Sequence, residues 1–149
     1  MIVRGTVVSG ASRGAELVQI YEDRLLHILG FRPYRGTLDV KIEKALDVES
    51  YATRRLEHVL LNGRPQIYAY LIPILLKTTT GEEKCWGMRL PDTYEKDVVW
   101  LLAHENLRNK LGLNDGDDVE LQFFQKAAKK KPVTSFLKRL GGKESRIKR

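Results

Sequence analysis

Thr37 and Asp39 stand two apart in Gly36-Thr37-Leu38-Asp39-Val40-Lys41-Ile42, a stretch whose polar and apolar residues alternate. Such alternation marks a strand, and residues two apart on a strand share a face. A hydroxyl beside a carboxylate offers the hard oxygen ligands that Mg²⁺ takes, with coordination positions left for phosphates and water. By spacing alone, the solvated outer face of a strand is the commoner outcome.

A second constellation is Val8-Ser9-Gly10-Ala11-Ser12-Arg13-Gly14, which follows a valine-rich run and precedes a helical pattern. Glycines after a strand let backbone N–H groups approach phosphate oxygens, and a helix N-terminus adds positive potential. Arg13 supplies a charge-assisted donor. The loop is not a Walker A motif: Gly5 and Gly10 have the right spacing and Ser12 fits the Ser/Thr position, but Ala11 stands where Lys is required. Taken alone, an ordinary glycine-bearing turn explains it as well. His27, His58, His104 and Cys85 show no zinc-like spacing.

These residues need elements to position them. Ile2 to Ser9 reads as a strand entering the glycine loop. Leu17, Ile20, Tyr21, Arg24, Leu25 and Ile28 recur at three-to-four spacing, which predicts one helix over 15–29, stopped by Gly30. Arg55 to Leu61, Asn62-Gly63 and Gln66 to Lys77 form a hairpin pattern, the long strand bent or ended near Pro73. Strands are also expected at Lys84 to Leu90, Asp97 to Ala103 and Asp118 to Phe124, with a short helix over Glu105 to Leu111. Six or more short strands with few helices predict a mainly β chain closed into a barrel, which leaves no sheet edges exposed.

Composition sets the outer limits. The 149 residues are 42% hydrophobic and 30% charged, as expected for one folded soluble domain. One cysteine excludes an intrachain disulfide and fits a reducing, cytoplasmic setting. Leu71 to Leu76, the longest apolar run, is too short to span a bilayer, so no membrane partner is expected. The net charge of +7 is unevenly placed. Residues 126–149 hold ten Lys or Arg and one acid, a charge of +9, whereas residues 1–125 hold sixteen against eighteen, a charge of −2. The chain therefore divides into a near-neutral body, 1–125, and a basic C-terminal tail, 126–149, through which alone nucleic acid could be contacted.

The motifs together resemble a known family. Gly5-x-Val7-Val8-Ser9-Gly10, then Gly14, then Leu29-Gly30-Phe31-x-Pro33-Tyr34-x-Gly36-Thr37-Leu38 is similar to the N-terminal half of the archaeal CTP-dependent riboflavin kinases. Ala103-His104-Glu105-Asn106-Leu107-Arg108, followed by Leu111-Gly112-Leu113-Asn114-Asp115-Gly116-Asp117, resembles that family's AP-x-x-LR-x-x-L-x-L-x-DGD segment. The resemblance implies a six-stranded cradle-loop, riboflavin-kinase-like barrel with short helices. It implies an enzyme that transfers the γ-phosphate of CTP to riboflavin, giving FMN.

Carried over by motif, Ala11, Ser12, Arg13, Gly14, Ala15 and Glu16 would wrap the nucleotide phosphates and ribose. Glu105, Asn106, Leu107 and Arg108 would border the cytidine. Thr37 and Asp39 would hold Mg²⁺, and Thr93 would lie near the flavin phosphate. Asp39 and Glu105 are the candidates for the catalytic base. The sequence departs from the family in having Asp39 after Gly36-Thr37-Leu38 where asparagine is usual, and His104 for a proline. Trp100 stands where a flavin-side glutamate is expected, so it is read either as a flavin contact or as a core tryptophan. A second reading stays open: a barrel that keeps a nucleotide or flavin pocket without turnover, with a basic tail that contacts nucleic acid.

Overall fold

The structure, a computed structural model, describes residues 1–10, 13–43, 46–61, 63–91 and 97–124. Ala11, Ser12, Thr93 and the basic tail lie outside the described residues, so the expectations placed on them are not addressed by it.

Seven strands form one antiparallel sheet: β1 (Ile2–Val8), β2 (Leu38–Ile42), β3 (Arg54–Leu61), β4 (Arg64–Thr78), β5 (Gly81–Arg89), β6 (Val98–Leu102) and β7 (Asp118–Phe123). Their order is β3-β4-β5-β6-β2-β1-β7, and β4 pairs with β7 as well. Six strands thus close into the expected barrel, and β3 stays outside the ring as the hairpin partner of β4. Three helices complete the described fold: α1 (Arg13–Ile20), α2 (Glu22–Leu29) and α3 (Leu107–Leu111).

The long strand β4 does not end at Pro73 but runs through it. One of its edges pairs with β3 as far as Leu71 and with β7 from Ile74 onward. Thr53 N–H donates to Leu71 O on that edge at 3.0 Å, so Pro73, two residues on, faces the same side in the gap between partners. A missing N–H costs no ladder bond there. The other edge runs unbroken, with Pro73 opposite Trp86 on β5.

Alternation along the strands sorts side chains into two cores. Val3, Val7, Val40, Ile72, Ile74, Leu76, Val99, Leu101, Leu121 and Phe123 fill the barrel. On the outer wall, Leu71, Met88, Trp100 and Leu102 meet Leu17, Val18 and Leu25 of the helices. Each fully buried Leu contributes about 1.5–3 kcal/mol of transfer free energy, so both layers matter to stability. Cys85 lies in the barrel core, where burial pushes its thiol well above the usual range.

The helical stretch is two helices, not the one expected over 15–29. They meet at Tyr21, whose φ of −107° and ψ of 25° leave the helical region. The Tyr21 hydroxyl accepts a hydrogen bond from Leu60 N–H at 2.7 Å, a bond to β3 that no local pattern encodes. A 3₁₀ turn at Val48–Tyr51, absent from the periodicity, adds Val48 and Tyr51 to the barrel core. His58, with φ of +55°, interrupts the alternation of β3, so that Leu56 and Val59, three apart, both enter the outer core. Among the described residues, no helix is long and apolar enough to cross a membrane.

Candidate functional site

The register of three strands assembles the site. Val8, the last residue of β1, stands opposite Asp39 on β2, and Asp39 stands opposite Trp100 on β6. Directly opposed residues in an antiparallel sheet project to one face. The mouth of the glycine loop, the Asp39 carboxylate and the Trp100 indole therefore share the outer wall of the barrel, beneath α1.

Thr37 and Asp39 lie together. Thr37 Oγ1 donates to Asp39 Oδ1 at 2.9 Å, and Asp39 is only 6% exposed. Two glycines close over them. A methyl group on Gly10 would overlap the Asp39 carboxylate, and one on Gly14 would lie 2.9 Å from both Thr37 Oγ1 and Trp100 Cγ. Gly14 sits in the first turn of α1, so the positive end of that helix faces the Thr37–Asp39 pair. Arg13 is exposed, and Ala15 and Glu16 are half-buried in the same turn.

The second motif block arrives at the same end of the barrel. Tyr34 N–H donates to Ala103 O at 2.8 Å, which ties the segment before β2 to the segment after β6. Asn106 Nδ2 donates to the Tyr34 hydroxyl at 3.1 Å, while Asn106 Oδ1 caps α3 by accepting from Asn109 N–H at 3.2 Å. A cleft of about 90 Å³ results, lined by Tyr34, Thr37, Glu105, Asn106 and Arg108 among others. Leu107 is buried in the barrel core, so its side chain anchors the block. Glu105 is half exposed and lies 3.6 Å from Lys110 Nζ.

Ser9, Tyr34 and Asp115, to which sequence reasoning gave no role, complete the arrangement. Arg108 Nη2 donates to Asp115 Oδ1 at 2.6 Å and to Val8 O at 3.4 Å. The Ser9 hydroxyl donates to the other Asp115 oxygen. These bonds, Ser9 first and then Arg108, hold the Asp115 carboxyl below the usual carboxylate range. Tyr34 and Asp115 both fall inside the recognised motifs, which was their only signal.

Trp100 is 9% exposed and belongs to the outer core, with its ring against Gly14. Thr93, expected near the flavin, is outside the described residues, as are Ala11 and Ser12 of the loop. Among the described residues, no group of three or more His, Cys, Asp or Glu is placed to hold a metal. A Thr hydroxyl and one carboxylate suit Mg²⁺ nonetheless, because that ion keeps waters and takes ligands from phosphates. A larger hollow, about 320 Å³, lies along β1, β7 and the end of β4 between Arg4, Glu43, Lys77, Asp118 and Glu120. Its lining mixes both signs of charge, and Gly5, which has no side chain, is the one motif residue that borders it. The chemistry points to the smaller cleft.

The family model for the CTP-dependent riboflavin kinase domain, described as "Domain of unknown function DUF120", matches residues 7–123. The chain belongs to the CTP-dependent riboflavin kinase family. Among its curated relatives, the "Riboflavin kinase" of Pyrobaculum calidifontis is 34% identical over 135 residues, covering 80% of this chain and 58% of that protein. The "Riboflavin kinase" of Aeropyrum pernix is 31% identical over 124 residues, covering 81% and 94%. That of Thermococcus kodakarensis is 31% identical over 137 residues, covering 83% and 59%. The chain thus spans little more than half the length of two of these relatives and nearly all of the third. In this family member the motif residues from Val7 to Asp117 fall within the matched residues, Gly5 lies just before them, and the tail beyond 125 falls outside them.

Proposed function

We propose that this chain is a CTP-dependent riboflavin kinase, moving the γ-phosphoryl group of CTP to the 5′-hydroxyl of riboflavin and releasing FMN and CDP. The observation that carries the reading is the convergence at Thr37 and Asp39. Gly10 and Gly14, with α1, close over the pair from one side, and Glu105 to Arg108 line a cleft that Thr37 shares. Phosphoryl transfer asks little covalent chemistry of a protein; it asks for positioning and charge neutralisation. The loop N–H groups and the α1 N-terminus would receive phosphate oxygens. Thr37 Oγ1 and Asp39 would hold Mg²⁺, which supplies neutralising charge to the phosphates when bound. Ninety cubic ångströms is a fraction of an ordinary ligand pocket, so the cleft beside Asn106 and Arg108 would take only part of the nucleotide, at its base end. Asp39 or Glu105 would accept the proton that the riboflavin hydroxyl loses. Thr93 and Trp100 are assigned to the flavin side.

The test is incubation of the purified chain with riboflavin, Mg²⁺ and each of the four nucleoside triphosphates, followed by chromatography for FMN. CTP should give the most FMN. Equal or better yield from ATP removes the CTP assignment. Binding without any FMN favours the second reading, a non-catalytic nucleotide or flavin barrel. Trp100, buried where an acid is usual, is the feature that favours that reading. Nucleic acid is proposed as a partner of the basic tail alone, by an affinity that falls steeply with added salt.

A further inference from the structure

Asp115 is an acid at the edge of a site assigned to a triphosphate. A carboxylate there repels the ligand, so its placement calls for an offsetting role. It is not needed to hold the fold. The turn that carries it is already pinned to β1 by backbone bonds, Gly116 N–H to Val7 O at 2.8 Å and Val7 N–H to Asp117 O at 2.9 Å. Its side chain is 53% exposed and that of Arg108 35%, and ion pairs at such exposure add little to stability.

What the carboxylate does is orient two groups at once. One oxygen takes the Ser9 hydroxyl, directly before Gly10, which abuts Asp39. The other takes Arg108 Nη2, which also reaches Val8 O. Both Arg108 bonds come from Nη2, so Nη1 and Nε are left out of them, and Arg108 lines the cleft. A guanidinium presents its donors as a rigid fork, so fixing one arm fixes the direction of the others.

We propose that Asp115 is a positioning residue that joins the two halves of the nucleotide site, setting the Arg108 fork and the Ser9 end of the glycine loop in their binding geometry. The proposal rests on the functional reading above. Asp115 acts through Ser9 and Arg108, not by touching the nucleotide.

The experiment is calorimetric titration of the full chain with CTP and Mg²⁺, and separately with riboflavin, for wild type, Asp115→Ala, Asp115→Asn, Ser9→Ala and the Asp115→Ala/Ser9→Ala pair. Asp115→Ala should weaken CTP binding by roughly tenfold, the low end of what losing an orienting outer partner costs at metal sites. Riboflavin affinity and Tm should stay at wild-type values. Asp115→Asn, which keeps one acceptor oxygen for one of the two donors, should lose less than Asp115→Ala. The double variant should lose less than the product of the two single losses, because both act through one contact. Unchanged or tighter CTP binding in Asp115→Ala would overturn the proposal, as would an equal loss for CTP and riboflavin. If wild type binds no nucleoside triphosphate, the functional reading itself fails, an outcome distinct from normal wild-type binding with an indifferent Asp115→Ala.

Discussion

Gly10 packs so tightly on Asp39 that a side chain at position 10 and the Asp39 carboxylate cannot occupy their present places together. Gly10, which follows β1 directly, is thereby held over the Asp39 carboxylate. Glycine is required here for close approach, since the position has no need of left-handed backbone.

Gly10→Ala should therefore displace the loop from Asp39 while the two cores stay intact. A shift of about an ångström in a positioning element costs on the order of 10²-fold in rate. The kcat for FMN formation should fall by that order with little change in Tm. Gly14→Ala, whose added methyl would meet Thr37 and Trp100 less severely, should lose less. Wild-type turnover in Gly10→Ala would show that the loop does not act from this position.

Asp39→Ala should lose far more activity than Asp39→Asn, because the amide keeps an oxygen for Mg²⁺ and for the Thr37 hydroxyl. Loss of such a charge stabiliser costs roughly 10²–10³-fold in kcat. Asp39 is buried beside Thr37, so the comparison should be made at saturating Mg²⁺ and with Tm monitored. Full activity in Asp39→Ala would remove the metal assignment.

Trp100 has two separable roles to test. As an outer-core residue, its replacement by Ala should cost about 3–5 kcal/mol in urea unfolding. As a flavin-side residue, it should be the tryptophan whose emission riboflavin quenches. Quenching should then persist in Trp86→Phe and vanish in Trp100→Phe. If neither tryptophan responds and Trp100→Phe binds riboflavin normally, only the packing role remains.

Truncation after Gln125 should leave turnover within a few-fold of the full chain. The last strand ends at Phe123, whose backbone bonds with Met1 complete the β1–β7 pairing. Both recognised motif blocks precede that point. Loss of CTP binding or folding in the truncated chain would place part of the tail within the barrel domain.

Much of the fold was legible because its signals are local. Period-two alternation located β2, a valine-rich run marked β1, the turn at Asn114 to Asp117 marked the start of β7, and Asn62-Gly63 located the β3–β4 hairpin, with Gly63 at φ of +74°. The same alternation put Thr37 and Asp39 on one face. The break at Tyr21 was not legible, because the hydroxyl that bonds Leu60 acts across 39 residues of sequence. Nor was the run of β4 through Pro73, which depends on where two different partners end and begin.

The sequence by itself therefore determined the elements, the chemical types at the site and the family to which the motif blocks point. Only the tertiary structure decided which of those groups meet. Alternation assigns a side chain to a face, but says nothing of what stands opposite it. That Asp39 faces Trp100, that Gly10 yields its space to Asp39, and that Asp115 holds Ser9 and Arg108 together are set by strand register and barrel closure. Those pairings join residues far apart in the chain, and their strength comes from packing that forms only once the ring has closed.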